Sequence, residues 1–334
     1  MTRAARPWLW PLVPAYRLAL ALREFQLRAG LKPVRRLRKP VVSVGNLSAG
    51  GAGKTPLVIA LAKALTVRGV QVDVLSRGYG RQRSTPPILV GPSGNADRFG
   101  DEPLLIAREA RVPVFVAAER YEAGMLAEGA SQQAGVHLLD DGFQHRQLHR
   151  DLDILLLSRA DLADHLLPAG NLREALHAAV RASVIAIPAD EPEVADWLKS
   201  QSWKGQVWRL RRRMDVPQID GPVVAFCGIA RPQQFFQGLE SGGAHVAAQF
   251  AFPDHHSYTP RDLERVTSAA QKAGAAALLT TVKDRVRLGA LAESFPASVP
   301  LGTSIPLRAV ELRIEIEDEA AAVDWLMLTL REPA

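Results

Sequence analysis

Val41-Val42-Ser43-Val44-Gly45-Asn46-Leu47-Ser48-Ala49-Gly50-Gly51-Ala52-Gly53-Lys54-Thr55 is the stretch from which the fold can be read. Val41 to Val44 predicts a short strand. Gly45 to Lys54 predicts a glycine-rich loop. From Thr55 to Arg68, Leu57, Leu61 and Leu65 recur at helical spacing. In that order of elements, successive backbone N–H groups cradle phosphate oxygens at a helix N-terminus. Lys54 would then neutralise the β/γ-phosphates of a nucleotide, and the Thr55 hydroxyl would ligate Mg²⁺. The usual pattern is G-x-x-x-x-G-K-[ST]. Ser48 stands at its first glycine, and Gly50 and Gly51 supply the flexibility instead. The expected nucleotide-binding residues are Ser48, Ala49, Gly50, Gly51, Ala52, Gly53, Lys54 and Thr55.

Outward from the loop, strands alternate with helices. Val70 to Leu75 predicts a second strand, followed by Ser76-Arg77-Gly78-Tyr79-Gly80. A helix is expected near Glu102 to Ala110, and strands at Val112 to Val116, Val136 to Leu139 and Ile154 to Leu157. This alternation implies an α/β fold of the P-loop NTPase type, a parallel sheet with helices on both faces. The strand Val136 to Leu139 ends in Asp140-Asp141-Gly142. An acid there is the second metal-contacting element of such a fold, at the strand ends that face the nucleotide. Either aspartate can meet Mg²⁺ directly or through water.

Residues 209–222, rich in Arg and closing on Asp220-Gly221-Pro222, look like a connector. A second, smaller α/β alternation follows: strands at Val223 to Cys227, His245 to Phe250 and Ala277 to Thr281, and helices at Pro232 to Leu239, Thr259 to Lys272 and 318–331. The expected organisation is an N-terminal arm over 1–39, a P-loop domain over 40–210, a linker over 211–222, and a smaller α/β domain over 223–334.

Composition narrows the class. The chain has 334 residues, 47% of them hydrophobic, ample for a large buried core. Its single cysteine, Cys227, excludes a disulfide framework and a cysteine-based zinc cluster. The net charge of +6 is uneven. Residues 1–40 hold ten Lys and Arg against one acid, Glu24, and the remainder is slightly acidic. The basic character therefore belongs to an arm. Trp8, Trp10 and Tyr16 precede a helical stretch with Leu18, Leu22 and Phe25 on one stripe and Arg17, Glu24 and Arg28 on another, and Leu20 and Leu27 lie off the apolar stripe. Lys32, Arg35, Arg36, Arg38 and Lys39 follow. Aromatic and leucine side chains beside a basic flank suit an interfacial helix on anionic lipid. The longest uncharged N-terminal stretch, Pro7 to Tyr16, is too short to span a bilayer.

Two clusters are less specific. Gly100-Asp101-Glu102-Pro103 either places a carboxylate near a γ-phosphate or simply opens a helix. Asp254-His255-His256 either supplies an imidazole oriented by a carboxylate or is structural.

Taken together, these residues resemble the tetraacyldisaccharide 4'-kinase family, the lipid A 4'-kinases. The resemblance runs almost end to end. It rests on Val44 to Pro56, Ser76-Arg77-Gly78-Tyr79-Gly80 and Gly100 to Pro103. It continues through Asp140-Asp141-Gly142-Phe143-Gln144-His145 with Arg150-Asp151, then Leu167-Pro168-Ala169-Gly170 with Arg173-Glu174. In the last third it includes Cys227-Gly228-Ile229-Ala230, Asp254-His255 and Thr281-Val282-Lys283-Asp284. It implies transfer of the ATP γ-phosphoryl group to the 4'-hydroxyl of a tetraacyldisaccharide 1-phosphate, a late step of lipid A assembly, with ATP and Mg²⁺ as cofactors. It places the enzyme at the cytoplasmic face of the inner membrane and implies that the smaller domain closes over the nucleotide. Asp101 matches the family's catalytic aspartate and His255 its partner, with Lys54 as the third catalytic group. Base and orienter within Asp101 and His255 are not separated. Thr55, Asp140, Asp141 and Glu174 are metal candidates. Arg77, Tyr79, Arg120, Gln144, His145 and Arg173 are substrate candidates. Some members carry an acid at the place of Val282, and Lys283 is given no role.

Other classes fit less well. A deviant-P-loop ATPase carries Lys just before Gly-Gly, where Ala49 stands. A GTPase needs Asn-Lys-x-Asp, and Thr281-Val282-Lys283-Asp284 has the wrong order. No nucleic-acid module accompanies the basic arm, and no protein partner is implied.

Overall fold

A strand of valines, buried along its whole length, stands at the centre of the sheet in the computed structural model, which describes residues 6–79, 81, 86–294, 297–298 and 304–331. Arg3 of the arm and Gly80 lie outside the described residues. A 3-10 turn, Pro7–Leu12, and helix α1, Val13–Arg28, come first. Strand β1 (Val41–Asn46) leads through the glycine loop into α2 (Lys54–Val67). Next are β2 (Gln71–Ser76), β3 (Ile88–Leu89), α3 (Ala96–Phe99), α4 (Asp101–Ala110), β4 (Val114–Val116) and α5 (Arg120–Ala130). The chain continues through β5 (Gly135–Asp140), β6 (Leu152–Leu156), α6 (Arg159–Leu162), β7 (Val184–Pro188), α7 (Pro192–Ser200) and β8 (Gln206–Asp215). The last third holds β9 (Pro222–Cys227), α8 (Pro232–Ser241), β10 (His245–Ala251), α9 (Pro260–Lys272), β11 (Ala277–Thr281) and α10 (Val282–Leu288). It ends with β12 (Ala297–Ser298), β13 (Ser304–Ile305), β14 (Leu307–Ile316) and α11 (Glu319–Arg331).

Twelve strands form one sheet in the order β10-β9-β11-β14-β8-β7-β6-β1-β5-β2-β4-β3, and β12 pairs with β13 apart from it. From β4 across β1 to β8 all neighbours are parallel, as they are from β14 to β10. Only the edge strand β3 and the β8–β14 pair run antiparallel in this sheet. Apolar residues bury both faces of β1, β5 and β6, as a helix-covered parallel sheet requires. Strand β1 is the switch point: β5 and β2 lie on one side of it, β6 and β7 on the other. The glycine loop leaves its carboxyl end, and Val44 of β1 pairs with Asp140 of β5.

The structure revises the expected linker. Residues 211–215 are the end of β8, paired with β14 from Glu311 to Glu315. The start of β8 pairs with β7, and the start of β14 pairs with β11. Each strand thus belongs to both halves of the sheet. The Arg-rich run looks like a connector because Arg211, Arg212 and Arg213 are all exposed on a two-stranded ribbon. Cross-strand pairs such as Arg213–Glu315 and Arg211–Glu317 neutralise it. In β14 itself, the alternation Val310, Leu312, Ile314, Ile316 was a legible strand signal.

Helix α1 has two apolar faces. Val13, Tyr16 and Leu20 pack against the body beside Leu166 and Leu172. Leu18, Leu22 and Phe25 point outward, 71%, 55% and 62% exposed, with Trp8, Trp10 and Leu12 of the preceding turn. Leu20, off the predicted stripe, is therefore a docking residue. No helix among the described residues is long and apolar enough to cross a membrane.

Candidate active site

The glycine loop takes backbone conformations that only glycine adopts easily. Gly50 and Gly53 have φ of +93° and +94°. The loop is also covered. A Cβ at Gly51 would stand 3.3 Å from that of Ala230, and one at Gly53 would meet Ile314 at 2.9 Å. Lys54, the first residue of α2, donates to Asn46 Oδ1 at 2.8 Å and lies 3.4 Å from Asp141 Oδ1. Arg173 donates to both oxygens of Asp141, at 3.0 and 2.9 Å, and to Asn46 Oδ1 at 2.6 Å. Asn46 is fully buried and organises this set, yet no motif spacing marked it. Its amide also donates to the Ser48 carbonyl and hydroxyl oxygens, so Ser48 shapes the loop from beneath.

The two aspartates differ in environment. Burial, then Glu102 and Asp141, push the Asp140 carboxyl up to about 7. Its Oδ1 is buried without a hydrogen-bond partner among the described residues. Burial would raise Asp141 too, but Lys54 and Arg173 outweigh it and hold that carboxyl well below the usual range. A buried, unpartnered carboxylate oxygen on the cleft that Thr55 also lines fits a divalent cation. No group of three or more His, Cys, Asp or Glu among the described residues forms a full cage. Mg²⁺ needs none, since it keeps several waters and leans on one or two carboxylates plus substrate phosphates. Glu102 joins this charge cluster, and sequence reasoning had singled out only its neighbour Asp101. Glu174 does not join it: its carboxylate pairs with Arg181 at 2.8 Å and lies outside the cleft lining.

Asp101 and His255, 154 residues apart, meet with His255 Nδ1 3.1 Å from Asp101 Oδ2. Asp101 opens α4 after Gly100, and His255 sits in the turn after β10 with φ +59°. Burial would raise Asp101, but the hydrogen bond from His255 and the charges of Lys283 and Arg287 overcome it and hold the carboxyl well below its ordinary range. Lys283 donates to Glu102 at 2.8 Å, and Arg287 Nε to Asp101 at 2.6 Å. Arg287 is a third residue, after Asn46 and Glu102, that the sequence reading missed. Its only signal is the helical spacing of three and four from Asp284 and Lys283. The Tyr79 ring lies 5.0 Å from the His255 ring.

A cationic end completes the site. Arg23 of α1 donates to the Gln144 carbonyl, and Gln144 Nε2 donates to that of Asn46 at 3.0 Å. Arg120 is buried with its Nε unpartnered. Burial and the neighbouring Arg77 bring it down to about 10. Burial, then Arg120, Arg150, Arg23 and Arg77, lower His145 to about 4. Loop, acids, His255 and these cations line one cleft of about 1390 Å³. Asp101 stands just behind its wall.

The glycine loop and His255, the partner of Asp101, thus line one cleft. The family model for tetraacyldisaccharide-1-P 4'-kinase, LpxK, matches residues 5–331. The chain belongs to the tetraacyldisaccharide-1-P 4'-kinase family. It is 40% identical to a tetraacyldisaccharide 4'-kinase of Koribacter versatilis, over 95% of this chain and 97% of that one. It is 36% identical to a protein of the same name from Gluconobacter oxydans, over 93% of each. The crystal structure of LpxK from Aquifex aeolicus in complex with ATP superposes with a TM-score of 0.73 at 30% identity, covering 97% of this chain and 99% of that one. The P-loop kinase fold expected from the glycine loop is thus that of this 4'-kinase family.

Proposed function

We propose that the chain transfers the γ-phosphoryl group of ATP to the 4'-hydroxyl of a tetraacyldisaccharide 1-phosphate, at the cytoplasmic face of an inner membrane. The observation that carries this reading is the approach of Asp101 to 3.1 Å from His255, which lines the same cleft as the P-loop. Backbone N–H groups of residues 49–55 and Lys54 hold the triphosphate. Thr55 and Asp140 would hold Mg²⁺, with Asp141 and Glu102 in the same charge cluster. When bound, the ion offsets charge on the phosphates. The hydroxyl is a weak nucleophile, so its proton must pass to the Asp101–His255 pair as the new bond forms. Closure of the 228–231 loop and β14 over the phosphates excludes the water that would otherwise be the acceptor. Arg77, Arg120, His145 and Arg173 are suited to the anionic head of the acceptor. A substrate with four acyl chains stays in the bilayer, so the exposed apolar face of α1 brings the enzyme to it.

Purified protein with Mg²⁺, γ-labelled ATP and tetraacyldisaccharide 1-phosphate in detergent micelles should place label in the lipid phase. Lys54→Ala should lower this at least about 10²-fold while leaving the fold intact. Lipid-independent phosphate release with no labelled lipid would replace the kinase by an ATPase.

A further inference from the structure

Arg287 lies on α10 with its side chain 5% exposed. Its Nε and Nη2 stand 2.6 and 2.5 Å from Asp101 Oδ2, and Nη2 also lies 3.2 Å from His255 Nδ1. Its Nη1 donates to Asp284 Oδ1 at 3.0 Å and to the Gly228 carbonyl. That carbonyl also accepts the backbone N–H of His255 at 3.2 Å. Asp284 is fully buried and accepts the Gly228 N–H at 3.1 Å. One guanidinium therefore ties the carboxylate that opens α4 to the turn that carries His255.

This arrangement leaves Asp101 little room to act on a substrate. Oδ1 accepts the N–H of Glu102 at 3.0 Å, and Oδ2 faces both Arg287 and His255 Nδ1, with Lys283 3.8 Å away. The ring nitrogen outside this net is His255 Nε2, which has Asp254 at 3.9 Å. His255 lines the cleft and Asp101 does not. The remaining groups around the pair are Glu102 on α4, Asp284 on α10 and the Tyr79 ring.

We propose that Arg287 is the positioning residue of the phosphoryl-transfer centre. It holds Asp101 and the Gly228–His255 turn in one register, so that His255 gives its Nδ1–H to Asp101 and turns Nε2 to the acceptor hydroxyl. This rests on the kinase reading above. In the step, the acceptor oxygen bonds to the γ-phosphorus while the bond from that phosphorus to the β–γ bridging oxygen breaks. ADP leaves with the electron pair, and the hydroxyl proton passes to Nε2. Asp101 stays anionic, and Arg287 makes and breaks no covalent bond.

The test compares wild type, Arg287→Gln and Arg287→Lys in the micelle assay, with ¹⁵N NMR of the full chain reading the His255 tautomer. Arg287→Gln should lower kcat about 10²-fold and leave KM for ATP and lipid within about twofold. The acid limb of its kcat profile should move to higher pH, because losing a cation raises the proton affinity of the pair. Arg287→Lys should recover at least about tenfold of the loss. The wild-type ring should carry its proton on Nδ1. Wild-type kcat in Arg287→Gln, or an equal fall in both variants with an unmoved acid limb, overturns the proposal. A wild-type ring protonated on Nε2 overturns it as well, even if Arg287→Gln does not fold. If wild type labels no lipid, the kinase reading fails, and the tautomers of wild type and Arg287→Lys still decide whether the clamp exists.

Discussion

His145 shows how environment converts a common side chain into a specialised one. An imidazole normally titrates near 6.5, but burial and four surrounding arginines, Arg120 foremost, keep this one neutral to about pH 4. Its neutral ring can then accept or donate one hydrogen bond beside a cationic cluster without adding to the charge. NMR titration should show no protonation of His145 above about pH 5, and Arg120→Ala should raise its midpoint toward the ordinary value. A midpoint above 6 in wild type would remove the cationic environment from the description of the site. The two neighbouring aspartates make the same point in reverse. Asp140 rises and Asp141 falls because Lys54 and Arg173 both reach Asp141, whereas no protein donor reaches Asp140 Oδ1.

Among the elements, α1 is the one with divided loyalties. The face with Val13, Tyr16 and Leu20 docks on the body, and the Tyr16 hydroxyl donates to the Arg173 carbonyl at 2.8 Å. The face with Leu18, Leu22 and Phe25 is left exposed by the described residues. Replacing those three by Ser should leave the melting temperature within about 2 °C, since exposed substitutions away from packing change stability little. Partitioning onto anionic vesicles should fall at least about tenfold, three large apolar side chains being removed from the interface. Unchanged partitioning would refute the anchor. Because α1 also delivers Arg23 to the cleft, deleting the whole helix would confuse anchoring with substrate binding, and the triple variant separates them.

For the whole molecule, the decisive contacts are those between the two halves of the sheet. Asp101, from the first half, is held by Arg287, His255 and Lys283 from the second. Since its folded-state carboxyl lies below the unfolded value of about 3.9, it contributes stability above that pH. The contribution is lost as pH falls through the folded value. Asp101→Asn should therefore destabilise the chain to urea at pH 7 and 5, with the difference from wild type shrinking at pH 3. A difference that grows on acidification would show that Asp101 does not bridge the halves as a carboxylate.

The glycine loop, the strand–helix alternation around it and the Asp140–Asp141 strand end were legible because each is local: a few adjacent residues carry the whole signal. Asp101 and His255 were likewise visible as motif members, though their meeting was not. The ribbon of β8 and β14 was hidden, since strand pairing across a hundred residues leaves no mark on an Arg-rich run that is exposed on both faces. The bonds from Arg173 to Asn46, from Lys283 to Glu102 and from Arg287 to Asp101 were hidden for the same reason: each joins residues remote in sequence. The sequence by itself therefore determined the phosphate-binding loop and the fold type that carries it. Only the tertiary structure decided which carboxylate is left unpartnered, which acid turns away to Arg181, and which arginine holds the Asp–His pair, because those outcomes depend on burial and on charges brought together from distant parts of the chain.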